Sequence, residues 1–108
     1  MTDISIDQIA AELSKRGNDY ADKEAAATLL EETKHTILAE CMADWPEDSN
    51  AGAETKARRD IRYKQHLTNM VEARRQANKA KVNYETMKAY EGLYRTRESS
   101  RRAEMQIR

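Results

Sequence analysis

The sequence predicts an all-α fold, an antiparallel helical hairpin of coiled-coil type with one very long C-terminal helix. After Gly52 there is no proline, and Gly92 is the only glycine. Strong helix formers fill most of residues 53–107, which favours one uninterrupted helix. The chain's one proline, Pro46, lies in a short polar stretch that suits a loop. We therefore expect a single helical domain, 1–108, composed of an acidic helical arm (5–45), a loop (46–52) and a long basic helix (53–107).

The acidic arm begins with a capping box, because Ser5 is followed three residues later by Gln8. Gly17 suits the left-handed conformation that ends many helices, so the arm is either bent or broken near this residue or continuous through it. Trp45 precedes proline and marks the end of the arm. It either closes the open end of the helix pair or anchors a partner. The shortness of the loop predicts that the two arms lie antiparallel.

Two apolar tracks run along the long helix. The first follows heptad spacing and is small in its middle, which lets a second helix approach closely; its residues are Tyr63, Met70, Ala73, Ala77, Ala80, Tyr84, Met87 and Tyr94. The second has an eleven-residue repeat and consists of Leu67, Val71, Asn78, Val82, Ala89 and Leu93. Two tracks favour two partner helices, and the alternative is a single broad core face. We expect the first track to form a hairpin or oligomer seam.

Charge divides the chain into two halves. Charged residues make up 35% of the sequence, which is too polar for a large interior, so we expect a homo-oligomer. Residues 1–54 carry four basic and thirteen acidic residues, a net charge of 4 − 13 = −9. Residues 55–108 carry fifteen basic and six acidic residues, a net charge of 15 − 6 = +9. We expect the acidic arm to lie against the basic arm and to neutralise much of its charge.

Several function classes find no support in the sequence. It contains no nucleophile constellation, phosphate-binding loop or nucleotide fingerprint, so we expect no enzyme activity and no cofactor. Glu32 and His35 form one Glu-x-x-His pair without the second pair that a di-metal bundle needs, so we expect no metal site. The single cysteine, Cys41, excludes an intrachain disulfide and fits a reducing compartment. No stretch is apolar enough to span a membrane, and we expect a cytoplasmic protein.

Arginines cluster near the end of the long helix, just after two tyrosines. We expect the acidic arm to be shorter than the basic arm, so that the last fifteen or so residues overhang it. Only Glu98 and Glu104 lie within this cluster. The cluster therefore suits base stacking or phosphate contact, and its candidate partner-binding residues are Tyr90, Tyr94, Arg95, Arg97, Arg101 and Arg102.

Two segments of this end, 82–85 with the sequence Val-Asn-Tyr-Glu and the arginine-rich 93–105, resemble small helical proteins encoded by bacteriophages and prophages. That resemblance implies a non-enzymatic viral accessory protein, active in DNA recombination or replication in the host cytoplasm. It would bind nucleic acid, or a host or phage protein that handles DNA, through the basic distal helix. The alternatives are a protein-directed adaptor or inhibitor of a host protein and a structural coiled-coil oligomer, neither of which contacts nucleic acid.

Overall fold

A computed structural model describes residues 5–107 and contains three helices in the described part of the chain. They are α1 (Ile6–Met42), α2 (Asn50–Arg58) and α3 (Ile61–Ile107). The all-α class, the hairpin arrangement and the very long C-terminal helix predicted from the sequence are confirmed.

Helix α1 begins at the predicted capping box. The Ser5 backbone N–H donates to Gln8 Oε1 at 2.9 Å, and the Gln8 N–H donates to Ser5 Oγ at 3.2 Å. The helix then runs without interruption to Met42, so of the alternatives left open at Gly17 the structure shows a continuous helix without a break. Gly17 is helical, and no described glycine has a positive φ. Its role is steric, because a Cβ there would lie 3.1 Å from Cε2 of Tyr84.

The long helix begins at Ile61, whereas the sequence predicted a start at Ala53. Residues 50–58 form the separate helix α2, and residues 59–60 form a turn before α3. Ser49 caps α2, because its Oγ accepts the Gly52 N–H at 3.1 Å. Asp60 caps α3 in the same way, with Oδ1 accepting the Arg62 N–H at 2.8 Å. The loop between α1 and α2 spans residues 43–49, so it starts and ends earlier than the predicted 46–52.

Residues 22–78 form one compact unit. Here α1 and α3 run antiparallel, since the Asp44 carboxylate of the loop after α1 pairs with Arg62, near the start of α3. Further from the loop, the carbonyl oxygen of Leu30 lies 2.7 Å from His66 Nε2. The core of this unit joins α1, α2 and α3 around the buried residues Leu38, Cys41, Ala57 and Tyr63.

The described residues 5–21 and 79–107 form the second compact unit. Ile9 of α1 is buried, as are Ala80 and Met87 of α3. Tyr84 packs beside Gly17, and its ring centroid lies 6.3 Å from that of Tyr20. The Arg16 guanidinium donates to the carbonyl oxygen of Asn83 at 3.2 Å. These contacts hold the two helical segments of this unit together at close range.

The two apolar tracks of α3 differ in burial. The heptad track is inside: Tyr63, Ala77, Ala80 and Met87 are buried, and its other members are half-buried, namely Met70, Ala73, Tyr84 and Tyr94. The eleven-residue track is outside, apart from the half-buried Leu67. Val71, Val82 and Leu93 are 64%, 60% and 71% exposed. The hairpin therefore uses one face of α3 and leaves a second apolar face in solvent.

Trp45 lies in the loop and keeps 42% of its surface exposed. It is not one of the residues of the buried cluster that joins the three helices. Instead, the Lys56 ammonium covers one face of the indole at 4.3 Å from the ring centroid and pairs with Asp48 at 2.7 Å. Among the described residues, no helix is long and apolar enough to cross a membrane.

Candidate nucleic-acid interface

The six candidate partner-binding residues lie on two different faces of α3. Tyr90, Tyr94 and Arg97 line a hollow of about 120 Å³ together with Leu93. Arg95 and Arg102 line a separate groove of about 400 Å³, which Tyr94 also borders. The sequence predicted one tip, and the structure gives two sites with different surroundings.

The tyrosine-arginine face is the side of α3 that carries Tyr90, Tyr94, Arg97 and Arg101. Its members follow one another at four-, three- and four-residue steps, which is the spacing of one helix face. Tyr90 is 37% exposed, and Tyr94 is half-buried. The Arg97 guanidinium carbon lies 5.6 Å from the centroid of the Tyr94 ring, within cation–π distance. The face therefore combines aromatic surface with positive charge.

Acidic residues of α3 itself partly compensate the distal arginines. Arg95 pairs with Glu91, four residues before it, and Arg101 lies 3.8 Å from Glu98. Both of these arginines therefore have an acidic partner on their own helix. The arginine side chains remain 74% and 71% exposed, however, and exposed pairs at this spacing hold their partners only weakly. Both guanidinium groups remain accessible to an anionic ligand.

The first turn of α1 lies alongside the distal arginines. Ile6 lines the same groove as Arg95 and Arg102, together with Glu98 and Ser99. The predicted overhang of about fifteen residues is therefore too long, since α1 reaches residues 94–102. The physical reason is the turn at residues 59–60: α3 starts eight residues later than expected, so α1 covers more of it.

The proximal arginines are paired, though not all with the acidic arm. Arg58 binds Glu54 of its own helix at 2.6 Å, and hydrogen bonding to that carboxylate raises the pKa of Arg58. Arg62 binds Asp60 as well as Asp44. The sequence predicted that the acidic arm neutralises much of the charge of the basic arm, and among these arginines the described contacts show such a pair at Arg62, with Asp44.

Arg74 forms ion pairs with two acidic residues of α1, and these pairs were not predicted from the sequence. Its guanidinium donates to Glu24 at 2.6 Å and to Glu31 at 2.6 and 2.9 Å. The hydrogen bond from Arg74 lowers the pKa of Glu31. In turn, the hydrogen bonds to Glu31 and Glu24 raise the pKa of Arg74. A seven-residue separation of two acids on α1 is a signal for such a clamp. The helix register that brings Arg74 between them cannot be read from charge alone.

Among the described residues, no group of three histidine, cysteine or acidic side chains is arranged to hold a metal ion. Cys41 is fully buried, and its burial raises the pKa of the thiol. His66 is bound to the Leu30 carbonyl, as described above, so its ring is part of the helix–helix contact. Neither residue lies near the tyrosine-arginine face in sequence.

Comparisons with known proteins add no relative. No family model matches the chain, and no curated protein or solved structure is significantly similar to it.

Proposed function

We propose that this protein is a non-enzymatic accessory factor that binds nucleic acid through the distal part of α3. The observation that carries the proposal is the tyrosine-arginine face, on which two aromatic rings adjoin two exposed arginines. Such surfaces bind nucleic acid by stacking against bases and by pairing with phosphates. The acidic arm supports the proposal in a second way, because its clamp on Arg74 reduces the positive charge outside the distal segment.

The first test is the salt dependence of DNA binding, measured by fluorescence anisotropy with short labelled DNA. We expect binding at low salt that weakens as the salt concentration rises. In a plot of the logarithm of the binding constant against the logarithm of the salt concentration, each phosphate contact removed should reduce the slope by roughly 0.7–0.9. Arg97→Gln combined with Arg101→Gln should weaken binding and flatten this slope. Arg58→Gln combined with Arg59→Gln removes the same charge elsewhere and should leave affinity nearly unchanged. Wild-type protein that binds no DNA at low salt would refute the proposal.

We further propose that this factor acts in DNA recombination or replication of a bacteriophage, in the host cytoplasm. The support for this setting is the resemblance of residues 82–85 and 93–105 to small phage-encoded helical proteins. Purification of the tagged protein from host cells, with and without nuclease treatment, tests it. Co-purified DNA, or a DNA-handling protein that nuclease releases, is expected. Recovery of neither would refute a role in DNA recombination or replication.

Self-association is part of the proposal. Its support is the exposed apolar surface of α3, because Val71 and Val82, eleven residues apart on the second track, are 64% and 60% exposed. Exposed apolar residues in a helical repeat are typical of a surface that a second helix covers. We expect light scattering at micromolar concentration to give a mass above that of one 12.4 kDa chain. Val82→Glu should lower this mass, and a wild-type monomer would contradict self-association.

The same exposed apolar surface favours one alternative function, a protein-directed adaptor or inhibitor that contacts no nucleic acid. In that case a partner helix, rather than DNA, would cover Val82 and Leu93. The two functions separate cleanly: Val82→Glu would abolish partner binding by an adaptor, whereas Arg97→Gln with Arg101→Gln would abolish binding by a nucleic-acid factor.

A further inference from the structure

We infer that the nucleic acid bound at this site is single-stranded, and that one unstacked base lies in the hollow formed by Tyr90, Leu93, Tyr94 and Arg97. The inference rests on the proposed function and specifies the form of its ligand. It is carried by the lining of the hollow, which is aromatic and aliphatic on most sides and cationic on one.

Apolar surface in the hollow has no partner on a duplex. Leu93 is 71% exposed and Tyr90 is 37% exposed, so both present apolar atoms to solvent. In a duplex the faces of the bases are stacked on one another, and only their edges and the charged backbone are accessible. An unpaired base offers a flat apolar face that can stack on a tyrosine ring. The hollow therefore matches a base that has left the stack.

Two arginines, Arg97 and Arg101, lie beside the hollow along the helix axis. Arg97 lies seven residues after Tyr90, about 10 Å along the helix axis, and Arg101 lies one further turn away. A strand with one base on Tyr90 would run its phosphates past these two guanidinium groups. Stacking would hold the base while the arginines hold the backbone, which is the usual division of labour in single-strand binding.

The other two distal arginines, Arg95 and Arg102, do not enlarge the tyrosine-arginine face into a surface that would fit double-stranded DNA. Arg95 and Arg102 lie in the groove with Ile6, where Glu98 also contributes a carboxylate. Arg95 is in addition paired with Glu91. A helix that enters a DNA groove collects its basic residues on one side. Here they are divided between two faces, and the Glu98 carboxylate lies close to both, since it lines the groove and is 3.8 Å from Arg101.

Fluorescence anisotropy with labelled oligodeoxythymidine and with a duplex of equal length tests the inference. We expect tighter binding of the single strand. Tyr90→Ala should weaken single-strand binding roughly 5- to 150-fold, the effect of one lost base–aromatic stack, without changing the salt slope. Tyr90→Phe keeps the ring and should bind like the wild type. Leu29→Ala, which removes an exposed apolar side chain from α1 and lies outside the hollow, is the matched control.

Each other outcome has a distinct meaning. Equal affinity for duplex and single strand, with no effect of Tyr90→Ala, would overturn the single-strand inference and leave the proposed function standing. Loss of affinity in Tyr90→Phe equal to that in Tyr90→Ala would overturn stacking, since the hydroxyl would then be the contact. Binding to neither form would refute both proposals. Leu93→Ala, at the most exposed apolar position of the hollow, gives a second readout if Tyr90→Ala lowers helicity.

Discussion

The aromatic ring of Tyr84 packs against Gly17 so closely that a Cβ at position 17 would lie 3.1 Å from Cε2 and 3.6 Å from Cδ2 of the ring. Two effects of replacing Gly17 by alanine therefore act against each other. Alanine is the better helix former by about 1 kcal/mol, but its methyl group would push against the tyrosine. Gly92 offers the comparison, because a Cβ there would meet no atom within 4 Å.

We predict that Gly92→Ala raises the free energy of unfolding by about 0.5–1 kcal/mol, and that Gly17→Ala gains less than this in the wild-type background. In a Tyr84→Ala background the ring is gone, so Gly17→Ala should then gain as much as Gly92→Ala. Urea unfolding of the single and double variants measures the coupling. Equal gains at position 17 with and without the tyrosine would contradict a steric role for the contact.

Ala77 is fully buried on the heptad track, whereas Ala89 is exposed on the second track. A leucine at position 77 has no space, so Ala77→Leu should lower the free energy of unfolding by about 1–3 kcal/mol. Ala89→Leu adds the same atoms in solvent and should change it by less than about 0.5 kcal/mol. Thermal unfolding followed by circular dichroism compares the two variants. Similar losses for both would mean that burial does not distinguish the two tracks.

Asp60 should make stability depend on pH in the acid range. Hydrogen bonds from the Arg62 side chain and backbone lower the pKa of Asp60 from 3.8 to about 2. The charged carboxylate therefore contributes stability above the ordinary pKa, and this contribution disappears as the pH falls through about 2. Asp60→Asn keeps a capping oxygen without a titrating group.

The melting temperature of wild type should exceed that of Asp60→Asn near neutral pH, and the difference should shrink between about pH 4 and pH 2. Other carboxylates, including Glu31, titrate in both proteins and cancel in the comparison. A difference that stays constant across this range would show that the Asp60 charge is not coupled to folding.

Arg74 should be sensitive to replacement even by another cation. Its planar guanidinium contacts Glu24 and Glu31 at the same time, which a lysine ammonium cannot reproduce with the same geometry. We expect Arg74→Lys to lower the melting temperature more than Arg75→Lys, because among the described contacts Arg75 pairs with Glu72 of its own helix and bridges no two helices. High salt should narrow the gap by screening both sites. An equal effect of the two substitutions would argue against the clamp.

Periodicity predicted the fold well because it depends on local spacing. The heptad from Tyr63 to Met87 identifies the face of α3 that the structure buries, and Ser5 with Gln8 marks the start of α1. The turn at residues 59–60 was missed because no proline or glycine occurs there, although an aspartate before an apolar residue is a cap signal at Asp60. The alternatives at Gly17 stayed open because the residue that contacts it, Tyr84, is 67 residues away in the sequence. Contacts at such separation leave no local pattern.

The candidate site was predicted as residues but not as a shape. Sequence spacing identified Tyr90, Tyr94 and the arginines. Helical spacing also places Arg97 and Arg102 on different sides of α3, but the groove beside Arg102 depends on where Ile6 of α1 lies. The Arg74 clamp has the same origin, since it needs the register of two helices. Charge counting anticipated attraction between the arms and could not choose the pairs.

The buried thiol of Cys41 provides a chemical reporter of breathing motions. It is the only cysteine of the chain, and it lies in the cluster that joins all three helices in the unit of residues 22–78. Thiolates attack alkylating reagents, and both the raised pKa of Cys41 and its burial suppress that reaction in the folded protein. The rate at which such a reagent modifies Cys41 in the wild-type protein therefore reports how readily the cluster that contains Leu38 and Tyr63 opens. No label needs to be engineered to follow it.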